Sequence, residues 1–149
     1  MIRSAEIPAT YTCCITPEGA CPLRERCLRS LVHREQMYSE KASRLEVVNL
    51  WNEELHPNTE KCKLFREARK KVFARGFAHL FDEVPKKKYP TVKAHVQAVF
   101  GCERSYYYCK NGTWLTSPDE QARIAAIFRK AEIGEVPPYD RMVESYDWE

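Results

Sequence analysis

"TVKAHVQAVFGCERSYYYCKNGTWLTS" occupies residues 91–117, and the fold class turns on how it is read. Val92, Val96, Val99 and Phe100 recur at helical spacing, and the run stops at Gly101, a residue suited to the left-handed conformation that ends a helix. Beyond the glycine three readings compete. In the first, a second short helix covers about 103–111, and the pair forms a DNA-binding helix-turn-helix. Val96 and Phe100 pack before the turn, and Cys102 and Tyr107 after it. Gln97, where a small residue normally sits, and Lys110, at the last apolar position, depart from that pattern. In the second, helices pack without any DNA role. In the third, Asn111-Gly112 is a type I′ turn between the strands "SYYYCK" and "TWLTS". The helix-turn-helix is the leading expectation.

The next segment fits either helical reading. Ser117 and Glu120 make a capping box around Pro118 at the first helical position. Ile124, Ile127, Phe128 and Ala131 then supply one apolar face, and Gly134 can close the helix. On the DNA reading the second helix turns Arg104, Ser105 and Tyr108 outward, with Tyr106 a further candidate. Arginine reads guanine through two hydrogen bonds, and serine or tyrosine reaches bases or phosphates. Lys93, Lys110 and the run Lys86, Lys87 and Lys88 serve the phosphate backbone. Glu103 opposes phosphate, though it can accept from cytosine. The candidate nucleic-acid residues are therefore Lys93, Arg104, Ser105, Tyr108 and Lys110, and the candidate partner is double-stranded DNA.

Upstream, "DEVPKKKYP" (82–90) carries two prolines and reads as a hinge between lobes 1–84 and 85–149. Residues 60–81 read as a helix, with Phe65, Ala68, Val72, Phe73, Phe77 and Leu80 as its apolar stripe and Lys61, Lys63, Arg66, Arg69, Lys70, Lys71 and Arg75 on the remaining surface. "HPNTEK" (56–61) reads as a loop with Thr59 as a cap, and "RLEVVNLW" (44–51) as a short extended segment. A helix from Pro22 puts Leu23, Cys27 and Leu31 on one face. The resulting expectation is a mainly α protein: a small helical N-terminal lobe stapled by four cysteines, and a C-terminal three-helix lobe resembling a helix-turn-helix.

Four of the seven cysteines fall in "YTCCITPEGACPLRERCLRS", residues 11–30. No secretory leader and no membrane-length apolar run is visible, so a reducing, cytoplasmic setting is expected, and the odd count agrees in arguing against a disulfide framework. Cys14, Cys21 and Cys27 are separated by six and five residues, and Cys62 lies far downstream. Four thiolates from separate segments suit tetrahedral zinc, and wider irregular gaps also occur around iron–sulfur cubanes. The pair of ligands two to four residues apart that marks a zinc knuckle is missing. Cys27 also sits in phase with Leu23 and Leu31, as a buried thiol with no metal would. Zinc is the leading expectation for Cys14, Cys21, Cys27 and Cys62, with a 4Fe-4S cluster or no metal as alternatives. Cys13 is a spare, Cys102 and Cys109 are structural, and His33, His56, His79 and His95 are too isolated to be ligands.

Over 149 residues, 24 basic and 21 acidic side chains leave a net charge of +3, too mild to establish a polyanion partner. No phosphate-binding glycine loop and no spaced catalytic pattern is present, so no enzyme activity is expected. The functional expectation is a DNA-binding regulatory protein with a structural metal site. The alternatives are an iron–sulfur redox sensor, or a protein-interaction module using the tail residues Tyr139, Tyr146 and Trp148. Packing of that tail onto the core is the more economical reading.

The motifs "CPLRERCLR", "CKLFR…FARGF", "VFG…YYY…NGTWLTSPDEQ" and the terminal "YDW" resemble an uncharacterised family of small bacterial proteins, a domain of unknown function, over residues 11–148. The resemblance implies that Cys14 (or Cys13), Cys21, Cys27 and Cys62 act as one set, and it leaves out Cys102 and Cys109. Members usually carry basic residues near those last two positions, so this sequence has less positive charge there. The family brings no catalytic residues with it.

Overall fold

The computed structural model describes residues 2–3, 6–37, 46–50 and 61–148. In chain order its elements are a 3-10 turn at Arg24–Arg26, then α1 (Leu28–Met37), β1 (Lys70–Arg75), α2 (Tyr89–Val99), α3 (Glu103–Lys110), β2 (Leu115–Thr116), α4 (Pro118–Lys130) and β3 (Arg141–Tyr146). They fall into two compact units: an N-terminal unit, Met1–Arg69 with Tyr146–Glu149, and a C-terminal unit, Lys70–Ser145.

The mainly α expectation is overturned. A three-stranded antiparallel sheet of order β2-β1-β3 joins the helices, and the fold is α/β. The error lies in the helix expected over 60–81, because residues 70–75 form β1 instead. "REARKK" is rich in good helix formers, but intrinsic preference is weak beside a place at the centre of a sheet, where both backbone edges find partners. Ala74 and Arg75 pair with Thr116 and Leu115 of β2. Phe73, Phe77 and Leu80 are buried as the stripe required, but from a strand and the turn after it, while Val72 is half exposed. Gly76 ends β1 at a φ of +72°, and a side chain there would run into the Asp140 carboxylate. Asp140 accepts hydrogen bonds from the Ala78 backbone N–H at 3.3 Å.

The helices of the C-terminal unit follow the sequence closely. Pro90 stands in the first turn of α2. Gly101, at a φ of +73°, makes the turn into α3 with backbone that a β-carbon would strain. "SYYYCK" is helical, so the Asn111-Gly112 hairpin is absent. α4 begins on the full capping box: the Glu120 backbone N–H donates to Ser117 Oγ at 3.3 Å, and the Ser117 N–H to Glu120 Oε2 at 2.7 Å. One core unites Phe77, Leu80, Val92, Val96, Tyr106 and Phe128. Within it Phe77 stacks on Phe100 with centroids 5.7 Å apart. The Gln121 amide ties α4 to the sheet through the carbonyls of Val72 (3.1 Å) and Thr116 (3.0 Å).

The N-terminal unit has little regular structure. The helix expected from Pro22 is split into the 3-10 turn and α1, with Cys27 between them. Cys27 bridges Glu67, flanked by hydrogen bonds from Leu28 N–H to the Arg66 carbonyl (2.7 Å) and from Ala68 N–H to the Arg26 carbonyl (2.9 Å). Residues 46–50 include an extended bridge from Val47 to Cys13. The ends of "RLEVVNLW" and residues 56–60 of the expected loop, Thr59 included, lie outside the described residues. Ile2, Tyr11, Cys13, Leu28, Val32 and Tyr146 form a small core, with Trp148 edge-on to Tyr11 at 5.2 Å. The tail thus packs inward.

Candidate functional site

Backbone bonds within the N-terminal unit bring distant cysteines together. Cys14 N–H donates to the Arg29 carbonyl (3.2 Å), which holds the first cysteine segment against α1. The Arg24 N–H donates to the Cys21 carbonyl (3.2 Å) at the start of the 3-10 turn, and the Phe65 N–H to the Cys62 carbonyl (3.2 Å). Arg29 fastens these pieces, donating to the carbonyls of Thr12 (2.7 Å) and Leu64 (3.0 Å). The outcome is one cavity lined by Cys14, Cys21, Cys27 and Cys62, walled by Leu23, Val48, Leu64 and Phe65, with Arg24 and Arg29 at its edge. Its free volume is about 10 Å³, room for about one water-sized body.

The thiols are not equivalent. Cys14 and Cys27 are buried, Cys21 and Cys62 half-buried, and no disulfide joins any of the seven cysteines. Burial pushes the Cys62 thiol up, opposed by the Leu64 backbone N–H and reinforced by the neighbouring thiols of Cys27 and Cys21. Cys14 Sγ is 2.8 Å from Thr16 Oγ1. Arg24 Nε is buried without a hydrogen-bond partner, a costly arrangement for a charged donor at a cavity edge. Cys13 faces elsewhere: its thiol lies 3.1 Å from Gln36 Oε1, in the small core, and it does not line the cavity. As they stand, no three His, Cys, Asp or Glu side chains among the described residues are close enough together to hold a metal ion.

On α3 the face differs from the sequence reading by one residue. Tyr106 and Cys109 are buried, whereas Tyr107 is 45% exposed and Cys102 is fully outside. The helix starts at Glu103 as expected, but its inward residues are Tyr106 and Cys109 in place of Cys102 and Tyr107, with the Phe77 and Phe100 rings against Tyr106, which removes Tyr106 from the outward set. Arg104 is exposed and its guanidinium lies 5.1 Å over the Tyr108 ring; Ser105, Tyr108 and Lys110 are half-buried. Lys93, on α2, lies 5.7 Å over the Tyr89 ring. Trp114, not singled out from sequence, stands edge-on to Tyr108 at 4.9 Å and is 47% exposed. Ser105 Oγ is 3.1 Å from the Cys102 thiol and, as the main cause, lowers its pKa.

Fold and site together define an α/β protein whose N-terminal unit encloses a cysteine-lined cavity. The chain belongs to a family of unknown function (DUF6078), whose sequence model matches residues 1–148. No curated protein and no solved structure matches it. No helix among the described residues is long and apolar enough to cross a membrane.

Proposed function

We propose that the protein is a metal-binding protein in which Cys14, Cys21, Cys27 and Cys62 hold a single zinc ion as a structural centre. The observation that carries this reading is the convergence of those four thiols, from segments up to 48 residues apart, on one cavity. The cavity's free volume of about 10 Å³, room for about one water-sized body, supports a single ion. Binding draws the sulfurs to about 2.3 Å from the metal and releases their protons. Arg24 and Arg29 offset the charge of the thiolates, and the buried Arg24 Nε gains an acceptor. A centre closed by protein sulfurs leaves no position for substrate, so the role is to hold a fold together rather than to catalyse.

The test is metal analysis of full-length protein purified under reducing conditions, followed by cobalt titration. One ion per chain and a thiolate-to-cobalt charge-transfer band are expected. Cys62→Ser and Cys21→Ser are expected to weaken binding by at least about 100-fold, beyond the usual effect of removing an outer partner of a ligand. Cys102→Ser is expected to leave binding unchanged. Because the thiols must lose their protons to bind, affinity falls as pH is lowered, and the raised pKa of Cys62 carries that dependence to higher pH. Protein that binds neither ion overturns the proposal.

A second reading is supported by α3, where exposed Arg104 lies over Tyr108 and Lys110 ends the helix: contact with double-stranded DNA through Arg104, Ser105, Tyr108, Lys110 and Lys93. Binding would weaken steeply with salt, and Arg104→Ala with Lys110→Ala would reduce it by about tenfold or more. Affinity indifferent to both substitutions contradicts it.

A further inference from the structure

The C-terminal unit carries a second cavity, remote in character from the thiols. It is a groove of about 520 Å³ between α2 and α4. That volume falls within the roughly 300–1,000 Å³ of small-molecule sites. Its floor is apolar, built from Val92 and Val99 of α2 and Ile127 of α4, while its rim carries His95, Arg123 and Lys130. Among the described residues no Asp or Glu lines it. Arg123 Nη1 donates to the Val99 carbonyl at 3.2 Å, which fixes that guanidinium at the edge.

The two halves of this lining ask for different parts of one ligand. An apolar body leaves water by lying on the Val and Ile floor. Two permanent cations with no carboxylate among the groove's lining favour an anionic head, because charge-assisted hydrogen bonds to a carboxylate are about twice as strong as neutral ones. We infer that the α2–α4 groove binds a small amphiphilic anion, an apolar chain or ring system ending in a carboxylate or sulfonate. The site shares no residue with the cysteine cavity or with α3, so it stands or falls separately from the metal and DNA readings.

The probe is anilinonaphthalene sulfonate, which combines fused rings with an anionic head, titrated by fluorescence into full-length protein. Saturable binding at one site per chain is expected, competed by octanoate and far less by octanol. Lys130→Glu, at an exposed helix position, is expected to weaken binding by about tenfold through repulsion of the head. Ala126→Glu, on the same exposed face, is expected to abolish it by filling the groove and placing a carboxylate there, with thermal melting unchanged. Were Ala126→Glu to unfold the chain, Lys130→Glu and the octanoate–octanol contrast would still decide. No binding, equal competition by octanol, or unchanged affinity in Lys130→Glu overturns the inference.

Discussion

The two units reach stability by different routes. The C-terminal unit has three helices and a sheet around large apolar side chains, with Tyr106, Phe77, Phe128 and Leu80 almost wholly buried. In the N-terminal unit the described residues offer one helix and a 3-10 turn, and its small core includes a cysteine. Much of its order comes from isolated bridges and from arginines donating to loop carbonyls. Small cores with little regular structure tend to need a covalent or metal staple. Such a staple is needed in the N-terminal unit rather than the C-terminal one, and the four thiols converge in the former.

Substitutions in the C-terminal unit sharpen the comparison, since its stability is attributed to packing alone. The largest effect is expected for Phe128→Ala, about 3–5 kcal/mol by denaturant titration, from lost burial and the cavity left behind. Gly76→Ala should cost about 1–3 kcal/mol, because the residue has positive φ and faces the Asp140 carboxylate. Ser117→Ala removes one half of the capping box and should cost about 1 kcal/mol. Metal removal should leave all three values unchanged; coupling to zinc would break the comparison.

The smallest effect at neutral pH is expected for Tyr106→Phe. The Tyr106 hydroxyl is buried without a partner, and burial pushes its pKa up to about 12 from 10.0. Removing it should change neutral-pH stability by no more than about 1 kcal/mol, in the favourable direction. The pH dependence is the sharper readout. A phenol whose folded pKa is raised stabilises the fold fully below the unfolded value and loses that contribution as pH rises through the folded value. Wild-type stability should fall between pH 10 and about 12, and because Tyr11 and Tyr139 are raised to about 12 by burial as well, Tyr106→Phe should reduce the slope of that limb without abolishing it.

Much of the C-terminal unit was legible because its signals are local. Val92, Val96 and Phe100 with Gly101, and Ser117 with Pro118 and Glu120, fix helix ends within a few residues of chain. β1 was not legible. Six residues with three cations and only Val72, Phe73 and Ala74 apolar carry no clear period of two, and the partners that make them a strand lie about 40 and 70 residues downstream. The phase of α3 was missed by one residue because three consecutive tyrosines leave the buried one undetermined until Phe77 and Phe100 close around Tyr106. The cysteines illustrate the opposite case. Their spacing fits no standard pattern, yet Cys14, Cys21, Cys27 and Cys62 line one cavity, while Cys13, adjacent in sequence, points into the core.

Hydrogen exchange measured along the full-length chain, zinc-loaded and after chelation, separates a metal-stapled N-terminal unit from one that holds itself together. Chelation is expected to strip protection from the amides of Cys13, Cys14, Leu28 and Val48 in the N-terminal unit and to leave those of Val96, Tyr106 and Phe128 as they were. Protection unchanged in both units, or lost equally from both, would contradict a metal staple of the N-terminal unit alone.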